Sequence, residues 1–183
     1  MSTDKRETPE EILEGKIDRL QRRREWKRFL AECVVLVVAV YVVFHYVIGI
    51  AFVSGRSMEP SLFDGDLVVF YRLDQEYQKN DTVIIHREGN LEYIKRIAAL
   101  PGEEITLDEE GQLLTGDGQE EGSLAIGKTM PVSEEITYPY EVPEGSYFVL
   151  GDNRENSRDS RSFGAVKKEE ITGRVFFRLG LTK

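Results

Sequence analysis

Residues 54–62 read Ser54-Gly55-Arg56-Ser57-Met58-Glu59-Pro60-Ser61-Leu62 and follow directly on the apolar run Cys33–Val53. The join between these two stretches decides how the chain is organised. The run holds 21 residues without a formal charge. As a helix it would be about 31 Å long, matching a hydrocarbon core of about 30 Å. A buried strand of that length lies far outside the usual range. A secretory signal has a shorter apolar core and a shorter basic start. Val53 and Gly55 are small enough to leave a cleavable end as the lesser alternative. A retained transmembrane helix over 29–53 is therefore expected. Beyond it, Gly55 gives the backbone freedom and Pro60 fixes φ. Ser57 lies four residues after Val53, so even a fully extended chain carries it only about 14 Å from the end of the run.

Upstream, residues 1–28 are densely charged. Leu13, Ile17 and Leu20 fall on one helical stripe, so a weakly amphipathic helix and a frayed polar tail both remain open. Arg22, Arg23, Arg24, Lys27 and Arg28 precede the span, whereas Arg56 is the only cation close after it. The positive-inside rule then puts 1–28 in the cytoplasm and 54–183 outside, a single-pass protein of the cell membrane with the lipid bilayer as its first partner. Trp26 stands where an interfacial aromatic belongs. His45, near the middle of the span, reads as a neutral residue facing a partner or the headgroups.

Downstream the hydrophobic period changes to that of strands. Leu67–Leu73, Thr82–Arg87, Leu91–Ala99, Glu104–Leu107, Gln112–Thr115, Tyr147–Leu150 and Thr172–Leu179 are short β-rich runs. Glu88-Gly89-Asn90 and Asp108-Glu109-Glu110-Gly111 read as hairpin turns. The expected fold of 54–183 is an all-β domain, sandwich-like or barrel-like, preceded by one transmembrane α-helix. Residues 108–145 are acidic and rich in Gly, Ser and Pro, and read as a peripheral hairpin or loop. They lack the ligand order of a calcium loop.

Composition excludes several classes. A net charge of −9 argues against nucleic acid, which needs a basic face. The lone Cys33 gives no disulfide framework. With only His45 and His86, and no H-E-x-x-H or paired C-x-x-C, neither a metal site nor another cofactor is expected.

Ser57 can attack a carbonyl only if a base takes its proton. His45 lies within the span and cannot reach it. His86 ends a strand and lacks the surroundings of a familiar triad. A lysine serves if burial lowers its pKa toward ~7–8. Lys95, in Tyr93-Ile94-Lys95-Arg96-Ile97, shares one strand face with Tyr93 and Ile97, while Arg96 points to the other. Such a lysine either snorkels to solvent or is buried for a purpose.

Four ordered stretches narrow the choice: S-M-E-P-S-L at 57–62, G-D-L-V at 65–68, Y-I-K-R-I at 93–97 with P-G-E at 101–103, and G-D-N-R-E-N-S-R-D-S-R-S-F-G at 151–164. Together with the anchor they resemble the type I signal peptidases, membrane-bound serine proteases that remove signal peptides from exported precursors. The single short anchor is similar to the Gram-positive forms. The resemblance implies that Ser57 attacks the scissile carbonyl and that Lys95 acts as general base and then protonates the leaving amine. It also implies that the Ser57 N–H donates to the oxyanion and that Ser157 orients Lys95. Asp152, Arg96, Asp159 and Arg161 would form supporting ion pairs, and Met58, Pro60 and Asp66 belong to the same supporting frame. Some relatives carry a hydroxyl residue at the position of Gly55, so here a second oxyanion donor would have to come from backbone or water. The family requires small side chains, typically alanine, one and three residues before the cut. Met58, Leu62 and Phe63 are expected to dip into the membrane interface. Ala98-Ala99 and Glu103 are mild departures from the pattern.

Two other readings compete. A self-cleaving repressor of the same Ser/Lys type would be soluble and carry a DNA-binding region. A non-catalytic anchored β-domain would tolerate changes at Ser57 and Lys95.

Overall fold

The computed structural model describes residues 9–74, 76–87, 89, 91–108, 112–116, 118, 119, 125–134 and 136–181, with only the backbone of 9–18, 20, 91, 118 and 119. The chain divides into two compact units, 1–45 and 46–183.

The first unit is helical. Helix α1 runs over Pro9–Val42, and a π-helical turn, Val43–Val47, follows it. Within this helical stretch, residues 21–47 are long and apolar enough to cross a membrane. Val34, Val35, Leu36, Val37 and Val38 are all exposed. That distribution suits a helix whose side chains meet lipid.

The helix does not extend to Val53 as expected. Ile48–Phe52 forms strand β1 instead. The apolar run conceals a change of period, because Ile48, Ile50 and Phe52 alternate with the small Gly49 and Ala51. Gly49 is buried, and a Cβ there would run into the Phe70 ring. A glycine that weakens a helix interior thus lets two strands approach closely.

The second unit is β-rich. After β1 come β2 (Leu67–Tyr71), β3 (Thr82–Arg87), β4 (Leu91–Ala99), β5 (Glu104–Leu107), β6 (Leu113–Thr115), β7 (Gly118–Gln119), β8 (Tyr140–Glu141), β9 (Ser146–Leu150), a short helix α2 (Ser160–Phe163), β10 (Val166–Lys167) and β11 (Ile171–Leu179). Among the described residues they form two antiparallel sheets, ordered β1-β2-β11-β3-β4-β9-β10 and β7-β6-β5-β8. The hairpin expected between β3 and β4 forms, with Arg87 opposite Leu91, although residues 88 and 90 of its turn lie outside the described set. The hairpin β5–β6 also forms, and residues 109–111 of its turn lie outside the described set.

Among the described residues of 108–145, several pack inward rather than lying at the periphery. Val142 is buried with Ala98, Ala99, Ile105, Leu113, Phe148 and Leu150, and Tyr138 and Tyr140 pack against that cluster. The core nearest the 54–62 loop consists of Val53, Met58, Leu62, Val68, Phe70 and Ile84. Met58 and Leu62 are therefore core residues, each contributing about 1.5–3 kcal/mol of burial. Of the three residues expected at a membrane interface, only Phe63 is exposed.

One feature of the pairing shapes the site. Strand β4 pairs with β3 from Leu91 to Arg96, but with β9 only from Arg96 onward. On the side away from β3, no strand among the described residues pairs with Glu92–Lys95, which leaves an open edge.

Candidate active site

The loop that carries Ser57 is closed at its base. Val53 N donates to Asp66 O at 2.8 Å, and Gly65 N donates to Val53 O at 2.9 Å. Inside it, Leu62 N donates to Met58 O at 2.9 Å, a single helical turn that sends Met58 and Leu62 into the core. Pro60 is exposed in this turn, after a cis peptide bond. Asp66 is fully buried; it accepts from Phe63 N at 2.8 Å and pairs with Arg178 at 2.7 Å. Gly55 takes φ +87°, a left-handed conformation that favours glycine. Its N–H donates to Asp64 Oδ1 at 2.7 Å.

Strand β4 brings Lys95 to this loop. Lys95 Nζ lies 2.8 Å from Ser57 Oγ. Its neighbours on the same face are Ile97, which is buried, and the Tyr93 ring, 5.6 Å from Nζ. Lys95 is only 2 % exposed, so it does not snorkel. Burial lowers its pKa to about 8; Asp159 and Asp152 push it back up, and Arg161 pushes it further down. An amine in that range is neutral for part of the time near pH 7–8 and can accept the hydroxyl proton. His86, by contrast, is exposed on β3 opposite Glu92.

The 151–164 stretch buttresses both partners. Asp152 holds Arg96 through two bonds, Arg96 Nε to Oδ1 at 2.7 Å and Nη2 to Oδ2 at 2.6 Å. Arg96 Nη1 also reaches Asn80 O at 2.8 Å, and Nη2 reaches Ser61 Oγ at 3.2 Å. Asp159 holds Arg161 in the same two-pronged way, at 2.8 and 2.9 Å, and accepts from Gly151 N at 3.0 Å. Such forks fix geometry as well as charge.

Ser157 does not make the bond expected of it. Its Oγ is buried but has no hydrogen-bond partner among the described residues, so it does not orient Lys95 here. The hydroxyl instead lies against Gly151, where an added Cβ would meet both Ser157 Oγ and the Ser57 carbonyl.

Sequence reasoning missed several supports. Asn153 N donates to Ser57 O at 3.0 Å and so fixes the nucleophile's own backbone. A strap at 125–130 in turn holds that segment: Ile126 N donates to Asp152 O at 2.7 Å, Arg154 N to Ile126 O at 3.0 Å, and the buried Arg154 Nη1 to Thr129 Oγ1 at 2.6 Å. Backbone bonds of this kind leave no side-chain signature. Asp64 could have been read as a turn residue that bonds backbone N–H groups.

A cleft leads away from the dyad. One wall is Ala51–Ser54, the other is the open edge Glu92–Lys95, and Met58 and Ile84 lie within it. Among the described residues no cluster of His, Cys, Asp or Glu is arranged to hold a metal ion.

The profile of the family described as signal peptidase, peptidase S26, matches residues 26–180. Signal peptidase I of Bacillus caldolyticus is 35% identical over 170 residues, covering 86% of this chain and 91% of that protein. Signal peptidase IB of Staphylococcus aureus is 28% identical over 172 residues, covering 85% and 90%. A crystal structure of a signal peptidase I from Enterococcus faecalis V583 is 32% identical, spans 56% of this chain and 98% of its own, and superposes with a TM-score of 0.43.

Proposed function

Because the chain belongs to the signal peptidase family, peptidase S26, we propose that it is a membrane-anchored serine endopeptidase that removes signal peptides from exported precursors, with Ser57 as nucleophile and Lys95 as general base. The observation that carries this reading is the 2.8 Å contact between Ser57 Oγ and a lysine amine with almost no exposure. A lysine needed only for solubility would not be buried beside a hydroxyl.

The steps follow from the geometry. Neutral Lys95 takes the Ser57 hydroxyl proton as Oγ bonds to the scissile carbonyl carbon. The carbonyl becomes a tetrahedral oxyanion, to which the Ser57 N–H donates. Gly55 N–H is engaged by Asp64 Oδ1, so any second donor is a water or another group. The C–N bond then breaks, and protonated Lys95 gives its proton to the leaving amine. Water, deprotonated by the same amine, cleaves the ester and frees Ser57. Throughout, an extended peptide fits the cleft as an added strand against the open edge 92–95.

The charge asymmetry around the span supports an extracytoplasmic location for 54–183. With 1–28 in the cytoplasm, Ser57 meets only peptides that emerge at the outer face. The outer sheet face is also apolar. Ile50, Val69 and Phe177 stand opposite one another in register, as do Phe52, Leu67 and Leu179, and the four residues on the flanking strands are exposed. An exposed apolar face of this kind is suited to a membrane surface.

The test is to present a membrane-inserted precursor with Ala-x-Ala before its cut site and identify the new N-terminus. Wild type is expected to release the mature part after the second alanine, and Ser57→Ala to release none. Equal cleavage by Ser57→Ala would reject the assignment.

A further inference from the structure

We propose that Glu92 is a specificity-determining residue, which reads charge at the fourth and fifth precursor residues before the cut. The inference rests on the proteolytic reading above and concerns the far end of the same cleft. The dyad closes one end; Phe52 and Glu92 stand at the other. Glu92 lies three residues from Lys95 on one strand, about 10 Å away at the usual rise. The lysine side chain adds several ångströms across the cleft, so an extended peptide seated at Ser57 passes Glu92 about three to five residues from its scissile bond.

The chemistry of the reaction argues for the pre-cut segment there. That segment stays esterified to Ser57 while the mature part leaves, so the groove must hold it through both steps.

The chemistry follows from what surrounds the carboxylate. Glu92 is exposed, and among the described residues no cation pairs with it; its neighbour in register on β3 is His86. The other residues at that end of the cleft, Phe52, Tyr93 and Ile94, carry no charge. A peptide cation at this point would be attracted and a carboxylate repelled, whereas the backbone strand contacts are blind to either. For an exposed pair the effect is modest, about twofold to fivefold in rate at low concentration of substrate.

The test uses membrane-inserted precursors identical except for Lys, Gln or Glu at the fourth and fifth residues before the cut, with the same replacements at the second and third residues after it as a control. Each rate is divided by that variant's own rate on the Gln precursor. Wild type should cut the Lys form about twofold to fivefold faster than the Glu form; Glu92→Gln should abolish the ratio, Glu92→Lys should invert it, and 0.5 M salt should compress it. A ratio unchanged in Glu92→Lys, or one confined to the mature side, would overturn the proposal while leaving the protease assignment intact. Failure of wild type on the Gln precursor would remove both.

Discussion

Lys95 is held in an environment that opposes its charge. Its pKa is lowered to about 8 by burial, against an unfolded value of 10.5. Between those two values the unfolded chain holds the lysine proton more tightly than the folded one, so stability rises as pH climbs through the window. Below about pH 8 the folded state bears the full penalty of a buried ammonium. Tyr77 and Tyr138, both raised to about 12 mainly by burial, act in the opposite sense above pH 10, so the rise is read best between 8 and 10. Lys95→Met should therefore be inactive yet more stable at pH 7, by about 1–2 kcal/mol, with the gain shrinking toward pH 10. Denaturant titrations of the full chain in detergent at several pH values measure this; a variant less stable than wild type at pH 7 would contradict it. The motif around Ser57 and the apolar strand around Lys95 made the pair legible in the sequence. Burial of Lys95 was not, because a lysine among apolar neighbours can equally reach solvent. Nor was the state of Ser157, whose hydroxyl meets Gly151 rather than the lysine.

At the level of elements, the site depends on how β4 is joined to the loop after β9. The Arg96–Asp152 fork makes that joint, with Asp152 buried and Arg96 nearly so. Arg96→Met leaves a buried carboxylate unpaired and should cost about 3 kcal/mol or more, whereas Arg96→Met with Asp152→Leu should cost clearly less. Equal losses in the single and double variants, by thermal or denaturant unfolding, would show that the pair is not what couples the two elements. The longer strands were readable because alternation over four or more residues fixes a face. Strands β7, β8 and β10 have two residues each, too few for any period to show. Strand β1 escaped for another reason: an unbroken apolar run satisfies both a span and a buried strand, and only the packing of Gly49 against Phe70 tells them apart. The strap at 125–130 is held chiefly by backbone bonds, so its acidic, glycine-rich surroundings read as a loose periphery.

For the whole molecule, three features bear on the proposed function: an apolar helix, a β-domain with an apolar outer face, and a cleft that ends at a buried lysine. In the proposed reading, the helix anchors the enzyme, the apolar face is offered to the membrane surface, and the lysine takes the place of a histidine base. The most direct measurement is the pH profile of cleavage of a membrane-inserted Ala-x-Ala precursor by wild type, Lys95→Ala and His86→Ala. The expected result is a wild-type rate that rises through about pH 8 and then levels, as Lys95 loses its proton. His86→Ala should keep that profile, and Lys95→Ala should lose at least about a thousandfold at every pH. A rate governed by a group near pH 6–7 that disappears in His86→Ala, with Lys95→Ala still active, would contradict the assignment of Lys95 as the base.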